Sequence, residues 1–278
     1  MTIRIVTDST CDLPQEIIDQ YHITVVPLFI QIGTREYRDG VDLSREEFYE
    51  KLPELRPHPT TAVPGIDLFV QTYERLIQEG ATQIISIHIS PKLSGVLSVA
   101  KVAAERITSI PVTVLDSRSL SMGTGFAVYT AAEAALEGHP IEKILDLLEN
   151  QITRTRVFAA LDSMQYLQRS GRVSFAISTI GNFLHIKPLL KMHNGEYGTE
   201  KVRTHRNAML RLIEMLGEHF PYERVGILYS GAADRARELL DEVRELLPMD
   251  KVWFGILNPV LGTHLGPGVV GFITIAKE

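Results

Sequence analysis

The sequence predicts an α/β protein built as two α/β domains, and three observations carry that reading. Short apolar runs rich in Val and Ile alternate with amphipathic helical patterns, as in βαβ units around a largely parallel sheet. Several of those runs end in small hydroxyl or acidic residues, at the edge where ligands bind in open α/β sheets. At 278 residues the chain exceeds one typical domain and suits two, each able to bury its own core. No repeat or low-complexity linker marks the join. It is placed near residue 150, giving an N-terminal domain of residues 1–150 and a C-terminal domain of residues 151–278.

Residues 3–9 read as the first strand. Asp12 then serves as a helix N-cap with Gln15 three positions on, opening a helix over residues 15–21. Residues 23–32 form a second apolar strand. Ser44-Arg45-Glu46-Glu47 is a capping box for a short helix through Leu52. Pro64 starts a helix that runs to Gln78 and stops at Gly80. Further strands fall at residues 82–90, 111–117, 157–163, 225–230 and 252–257. Helices fill the gaps at residues 97–107, 125–136, 141–153, 206–219 and 234–247. Met192-His193-Asn194-Gly195-Glu196-Tyr197 is a hairpin turn between apolar flanks, so the C-terminal sheet is mixed where the N-terminal one is mostly parallel. Near the end, four glycines and a proline surround His264 in Gly262-Thr263-His264-Leu265-Gly266-Pro267-Gly268-Val269-Val270-Gly271. This is a sharp turn or a close approach of the backbone to a bound group, ahead of a last strand at residues 272–276.

Composition excludes several classes. A net charge of -6 gives no basic footprint for nucleic acid or an anionic membrane. No apolar run reaches the roughly 18 residues of a membrane span, and the first residues lead into a strand rather than a signal peptide. A cytoplasmic protein without stable membrane insertion is expected. Cys11 is the single cysteine, which rules out an internal disulfide and a cysteine-rich zinc site and suits an inert buried thiol. No pair of histidines has helical metal-ligand spacing around a glutamate, so neither a metal nor another cofactor is expected.

The strand-end chemistry recurs in Thr7-Asp8-Ser9-Thr10, Ser90-Pro91-Lys92-Leu93-Ser94-Gly95, Asp116-Ser117-Arg118-Ser119, Asp162-Ser163 and Ser230-Gly231. Each is a fair helix cap or turn by itself. Together they mark a ligand edge, where helix N-termini and loop amides converge. Gly123-Thr124-Gly125 lacks the third glycine of a dinucleotide fingerprint, and there is no Gly-x-Ser-x-Gly elbow or Walker A loop. One enzymatic reading stays open, a serine-dependent acyl hydrolase or transferase with Ser94 as nucleophile, His264 as base and Asp8, Asp116 or Asp162 as third member.

Several of these segments occur together and in order: Ile5-Val6-Thr7-Asp8-Ser9, Leu93-Ser94-Gly95, residues 115–123 from Leu115-Asp116-Ser117 onward, residues 161–172 ending in Ser170-Gly171-Arg172, Lys187-Pro188-Leu189-Leu190 and the Gly-Thr-His-x-Gly-Pro-Gly run. In this the chain resembles the DegV family over nearly its whole length. The resemblance implies a fatty-acid-binding protein of two α/β domains that does no chemistry of its own. Such a carrier holds a palmitate-like tail in an apolar tunnel, keeps the carboxylate at the interdomain cleft and presents it to a fatty acid kinase. The kinase makes an acyl phosphate for phospholipid metabolism. By the same resemblance Thr61, Ser94 and His264 bind the carboxylate, Asp8, Ser9 and Ser117 stand behind them, and Arg172 and Arg203 form the cleft rim facing the kinase. Thr60-Thr61-Ala62-Val63-Pro64-Gly65 keeps the family's threonine but has Ala, Val and Gly where Ser, Gln and Ser are frequent. Tunnel walls are expected from Phe183 and Leu184, from residues 177–180 and from the small residues of 123–135. Burying roughly sixteen carbons supplies a gross drive on the order of 12 kcal/mol before ordering costs. Polar groups then need only fix direction, and neutral hydroxyls leave a carboxylate oxygen free to react.

Overall fold

The structure is a computed structural model that describes residues 2–172 and 186–278. Its strands form three sheets. β1 (Ile3–Asp8), β2 (Thr24–Val26), β6 (Gln83–His88) and β7 (Val112–Asp116) make a four-stranded parallel sheet in the order β2-β1-β6-β7. β8 (Thr155–Ala160), β9 (Lys187–His193), β10 (Glu196–Val202), β11 (Tyr222–Tyr229), β12 (Val252–Ile256) and β13 (Val270–Ala276) make a mixed six-stranded sheet in the order β10-β9-β8-β13-β11-β12. The predicted α/β class and the parallel and mixed sheets are therefore present.

The third sheet is antiparallel and was not foreseen: β3 (Phe29–Ile32) lies between β4 (Arg35–Arg38) and β5 (Thr60–Ala62). The expected single strand over residues 23–32 is in fact split at Pro27, which has no N–H for a sheet ladder. Its first half pairs with β1 and its second with β4 and β5. Ser44 does cap α2 (Arg45–Lys51), its side chain accepting from Glu47 N at 3.2 Å. Asp12 does not cap α1 (Gln15–Gln20). That helix starts behind Pro14 with no side-chain cap, while Asp12 turns inward and is 3% exposed.

The glycine-rich end also departs from expectation. His264 sits in a helix, α10 (Pro259–Leu265), capped by Asn258 and begun by a proline. The positive-φ turn comes after it, at Gly266 (φ 80°) and Gly268 (φ 85°), and β13 then starts at Val270. The hairpin between β9 and β10 is as read: Asn194 and Gly195 both take positive φ, the two-residue turn that suits the strand twist.

Alternation along β8 assigns its faces. Phe158 and Ala160 pack in a core with α8 (His205–Gly217) and α9 (Ala233–Val243), whereas Val157 and Ala159 face a second core that reaches the parallel sheet. In α5 (Met122–Leu136) Gly123 and Gly125 serve close packing. A Cβ at Gly125 would lie 2.3 Å from the Cys11 carbonyl oxygen, and one at Gly123 only 2.0 Å from Ser119 Oγ. Phe183, Leu184 and residues 177–180 lie outside the described residues.

Candidate ligand-binding site

A cavity of about 440 Å³ opens between the carboxyl end of the parallel sheet and the Val157/Ala159 face of the mixed sheet. Its size falls within the usual range for small-ligand sites. Its walls are mostly apolar, with Ile89, Leu120, Val157, Leu190, Met192 and Leu261 among them. Thr61, Ser94 and His264 also line it, arriving from β5, from the loop after β6 and from α10.

The geometry joins two of them. Thr61 Oγ1 and His264 Nε2 are 2.9 Å apart, although 203 positions separate them in sequence. His264 Nδ1 is buried and without a partner among the described residues. A buried N–H left unpaired is less tolerable than a bare lone pair, so the favoured tautomer carries its proton on Nε2 and donates to Thr61. The Thr61 hydroxyl hydrogen is then free to point into the cavity. Ser94 Oγ accepts from Val96 N at 3.3 Å at the start of α4 (Val96–Glu105), so its own hydrogen is likewise available.

Burial holds the His264 imidazole down at about 4, helped by the positive charges of Arg172 and His58. The ring is therefore neutral near neutral pH. The unfolded chain takes up this proton near pH 6.5 and the folded one only at about 4. Stability tied to the group is whole above pH 6.5 and is lost as the pH falls to 4, by about 3 kcal/mol if the full shift is realised. His264→Asn should accordingly lose less of its urea midpoint than wild type between about pH 7 and pH 4.5. Equal losses in the two proteins would mean that His264 protonates freely in the folded state.

Three cations line the cavity. Lys92 is paired with Glu196 at 2.5 Å and Lys191 with Glu200, while Arg172 donates to the Ser170 carbonyl at 2.8 Å and forms no ion pair among the described residues. Arg203 is exposed just beyond β10 and is not among the lining residues. Asp8, Ser9 and Ser117 do not reach the cavity. Asp8 accepts from Thr10 N at 3.1 Å and from the Thr10 hydroxyl at 2.5 Å, and Thr10 itself lines the wall. Ser9 Oγ accepts from Leu28 N at 3.1 Å, and Ser117 Oγ lies 2.8 Å from Thr124 Oγ1.

Asp8 is not a partner of His264. It pairs with His88 Nδ1 at 2.9 Å, and His88 Nε2 is 2.7 Å from Ser86 Oγ. Burial alone would raise the Asp8 carboxyl, but the His88 and Thr10 contacts bring it below its ordinary value. The contacts of a Ser-His-Asp array thus exist, yet on Ser86, His88 and Asp8, all at 0% exposure and closed to substrate. Two residues near the site went unnoticed in the sequence. His58 Nε2 is 3.0 Å from the Thr263 carbonyl, and Tyr166 packs edge-on to the His58 ring at 5.3 Å. His58 lies outside any helix or strand, and Tyr166, within the 161–172 segment, carries no spacing signal that ties it to His58.

Among the described residues no group of three or more His, Cys, Asp or Glu is placed to hold a metal ion. No helix there is long and apolar enough to cross a membrane.

Fold and cavity together define an α/β protein with a mostly apolar chamber between two sheets, whose walls also carry neutral hydrogen-bonding groups and three cations. The chain belongs to the DegV family: the family's model, described as that of an uncharacterised protein, matches residues 2–277. A DegV domain-containing protein of Streptomyces coelicolor is 34% identical over 279 residues, 99% of each chain. Among solved structures, a DegV family protein of Thermus thermophilus described by its fatty acid binding is 31% identical and superposes with a TM-score of 0.90 over all of both chains. DegV of Bacillus subtilis, a fatty acid binding protein, is also 31% identical, with a TM-score of 0.89 and full coverage of both chains.

Proposed function

We propose that this protein binds a long-chain fatty acid, with its carboxylate at Thr61, Ser94 and His264 and its tail along the apolar walls. The observation that carries the reading is the Thr61–His264 hydrogen bond on the wall of a mostly apolar cavity. It leaves two hydroxyl hydrogens for an anion that must be satisfied on leaving water. Fatty acid binding by the Thermus and Bacillus relatives supports it. In this reading the protein is a cytoplasmic carrier divided near residue 150. A palmitate-like ligand is presented to a fatty acid kinase, which phosphorylates the exposed carboxylate oxygen.

Native mass spectrometry of protein purified from a bacterial host tests the ligand: a retained, intact fatty acid is expected. Steady hydrolysis of an acyl ester, abolished by Ser94→Ala, would favour the hydrolase instead. The geometry weighs against that alternative, since His264 Nε2 is engaged by Thr61 and Asp8 by His88. For the partner, Arg203→Ala should slow acyl phosphate formation several-fold with the kinase present while leaving fatty-acid affinity unchanged, because rim charges act mainly on encounter. Arg172→Ala should slow it too. Slowing that disappears at saturating kinase would agree with a docking role, and no slowing in either variant would remove both from the interface.

A further inference from the structure

Asp12 follows β1 and a 3-10 turn at Ser9–Cys11, and its side chain is wholly buried. Its backbone takes φ 52°, a region few residues other than glycine visit and aspartate tolerates. Partners from three distant segments hold it there. Arg45 Nη1, at the start of α2, is 2.8 Å from Oδ1. Ser121 Oγ, just before α5, donates to Oδ2 at 2.6 Å. Asn258 donates twice, from its backbone N to Oδ1 at 2.9 Å and from Nδ2 to Oδ2 at 2.8 Å.

The Nδ2 donation orients the side-chain amide of Asn258 and the backbone donation anchors its main chain; the amide oxygen accepts from Leu261 N at 2.8 Å and caps α10. That helix carries His264. It is also braced from the side: the Tyr49 hydroxyl donates to the Asn258 carbonyl at 3.3 Å, and a Cβ at Gly262 would lie 2.3 Å from Tyr49 Oη. A helix so capped and so closely packed cannot slide or rotate without breaking its cap. The geometry points to Asp12 as the positioning residue for the His264–Thr61 pair, acting through the Asn258 cap and α10. The affinity consequence rests on the fatty-acid reading of the site; the positioning itself does not.

Two variants of the full-length protein test this. Asp12→Asn keeps the size but removes the charge and one acceptor. The exchange Asp12→Asn with Asn258→Asp restores a donor facing an acceptor, with aspartate an equally good helix cap. The ring nitrogen signals of His264 are read by long-range nitrogen–proton NMR without ligand, alongside urea unfolding and titration with a fluorescent fatty acid. In Asp12→Asn the His264 signals should move and the dissociation constant rise about tenfold, the loss of one charge-assisted hydrogen bond felt through the helix. The exchange should return both to near wild type. His264 signals that coincide with wild type in Asp12→Asn would overturn the proposal, as would an exchange that recovers stability but not those signals. If Asp12→Asn fails to fold, Ser121→Ala removes one hydrogen bond from the same carboxylate: a smaller shift in the same direction supports the role and unmoved signals overturn it. A wild type that takes up no fatty acid defeats the site reading alone, since the ring signals decide the positioning.

Discussion

Thr61→Val should weaken fatty-acid binding about a hundredfold or more, while Ser94→Ala costs closer to tenfold. The asymmetry comes from what each hydroxyl touches besides ligand. In the proposed site either change removes one hydrogen bond to a carboxylate, worth roughly 1.5 to 3 kcal/mol. Thr61→Val also strips His264 Nε2 of the partner at 2.9 Å; water can take that place before ligand binds but not against a bound tail, so desolvating the N–H on binding adds about 1 kcal/mol or more. Ser94 gives up only a long contact of 3.3 Å to Val96 N at a helix start, where water can substitute. The double variant should fall short of the sum, because both hydroxyls act on one anion. Titration with a fluorescent fatty acid measures all three. Equal effects of the two single changes would show that the Thr61–His264 bond contributes nothing to the bound state, and additive effects would place the hydroxyls on different groups.

Much of this arrangement is legible in the sequence because it rests on local rules. Hydrophobic period separates the strands from the helices, the Ser44 cap follows from its spacing to Glu47, and Asn194-Gly195 announces its hairpin. What stays hidden is set by contacts far apart in the chain. Pro27 breaks an apolar run into two sheets, and only the tertiary fold decides that the second half turns away to pair with β4 and β5. Asp12 has the sequence context of a helix cap, but the half-buried Arg45 and the buried Ser121 and Asn258 outbid the orphan amides of α1, which water reaches in any case. The glycines around His264 suggest an open loop. All four instead permit close approach, at Tyr49 for Gly262, at Tyr166 for Gly266, at Asp162 for Gly268 and at the Phe158 carbonyl for Gly271, and the chain is helical as far as Leu265. Ser94 and His264 stand out by strand-end chemistry and by the glycine-rich run, but Thr61 is nameable only through family resemblance, since no spacing rule links a threonine and a histidine 203 positions apart.

Gly266→Ala should be among the most destabilising single changes available in this chain. Gly266 ends α10 with φ 80° and ψ -179°, a backbone region essentially reserved for glycine, and forcing alanine into it costs about 1–3 kcal/mol. Space is also lacking. A Cβ there would lie 2.3 Å from Tyr166 Cδ2 and 2.6 Å from Tyr166 Cγ, the fixed base of the ring rather than a flexible end. The ring cannot simply swing aside, because it packs edge-on against His58, and His58 Nε2 meets the Thr263 carbonyl beside His264. The backbone cannot yield either: Gly266 N donates to the Gly262 carbonyl at 2.8 Å and its own carbonyl accepts from Ser230 Oγ at 2.8 Å. Strain and displacement together should cost about 3 kcal/mol or more, lowering the melting temperature by roughly 6–10 °C for a chain of this size. Gly138→Ala supplies the control. Its φ is 81° but no atom lies within 4 Å of the added carbon, so it carries backbone strain alone, about 1–2 kcal/mol. Gly266→Ala should also weaken fatty-acid binding, since relief of the clash moves His58 and with it the end of the helix bearing His264, whereas Gly138→Ala should leave affinity untouched. Equal losses of stability in the two variants, with binding unchanged in both, would show that Tyr166 accommodates the methyl group and that the close approach at Gly266 does not constrain the site.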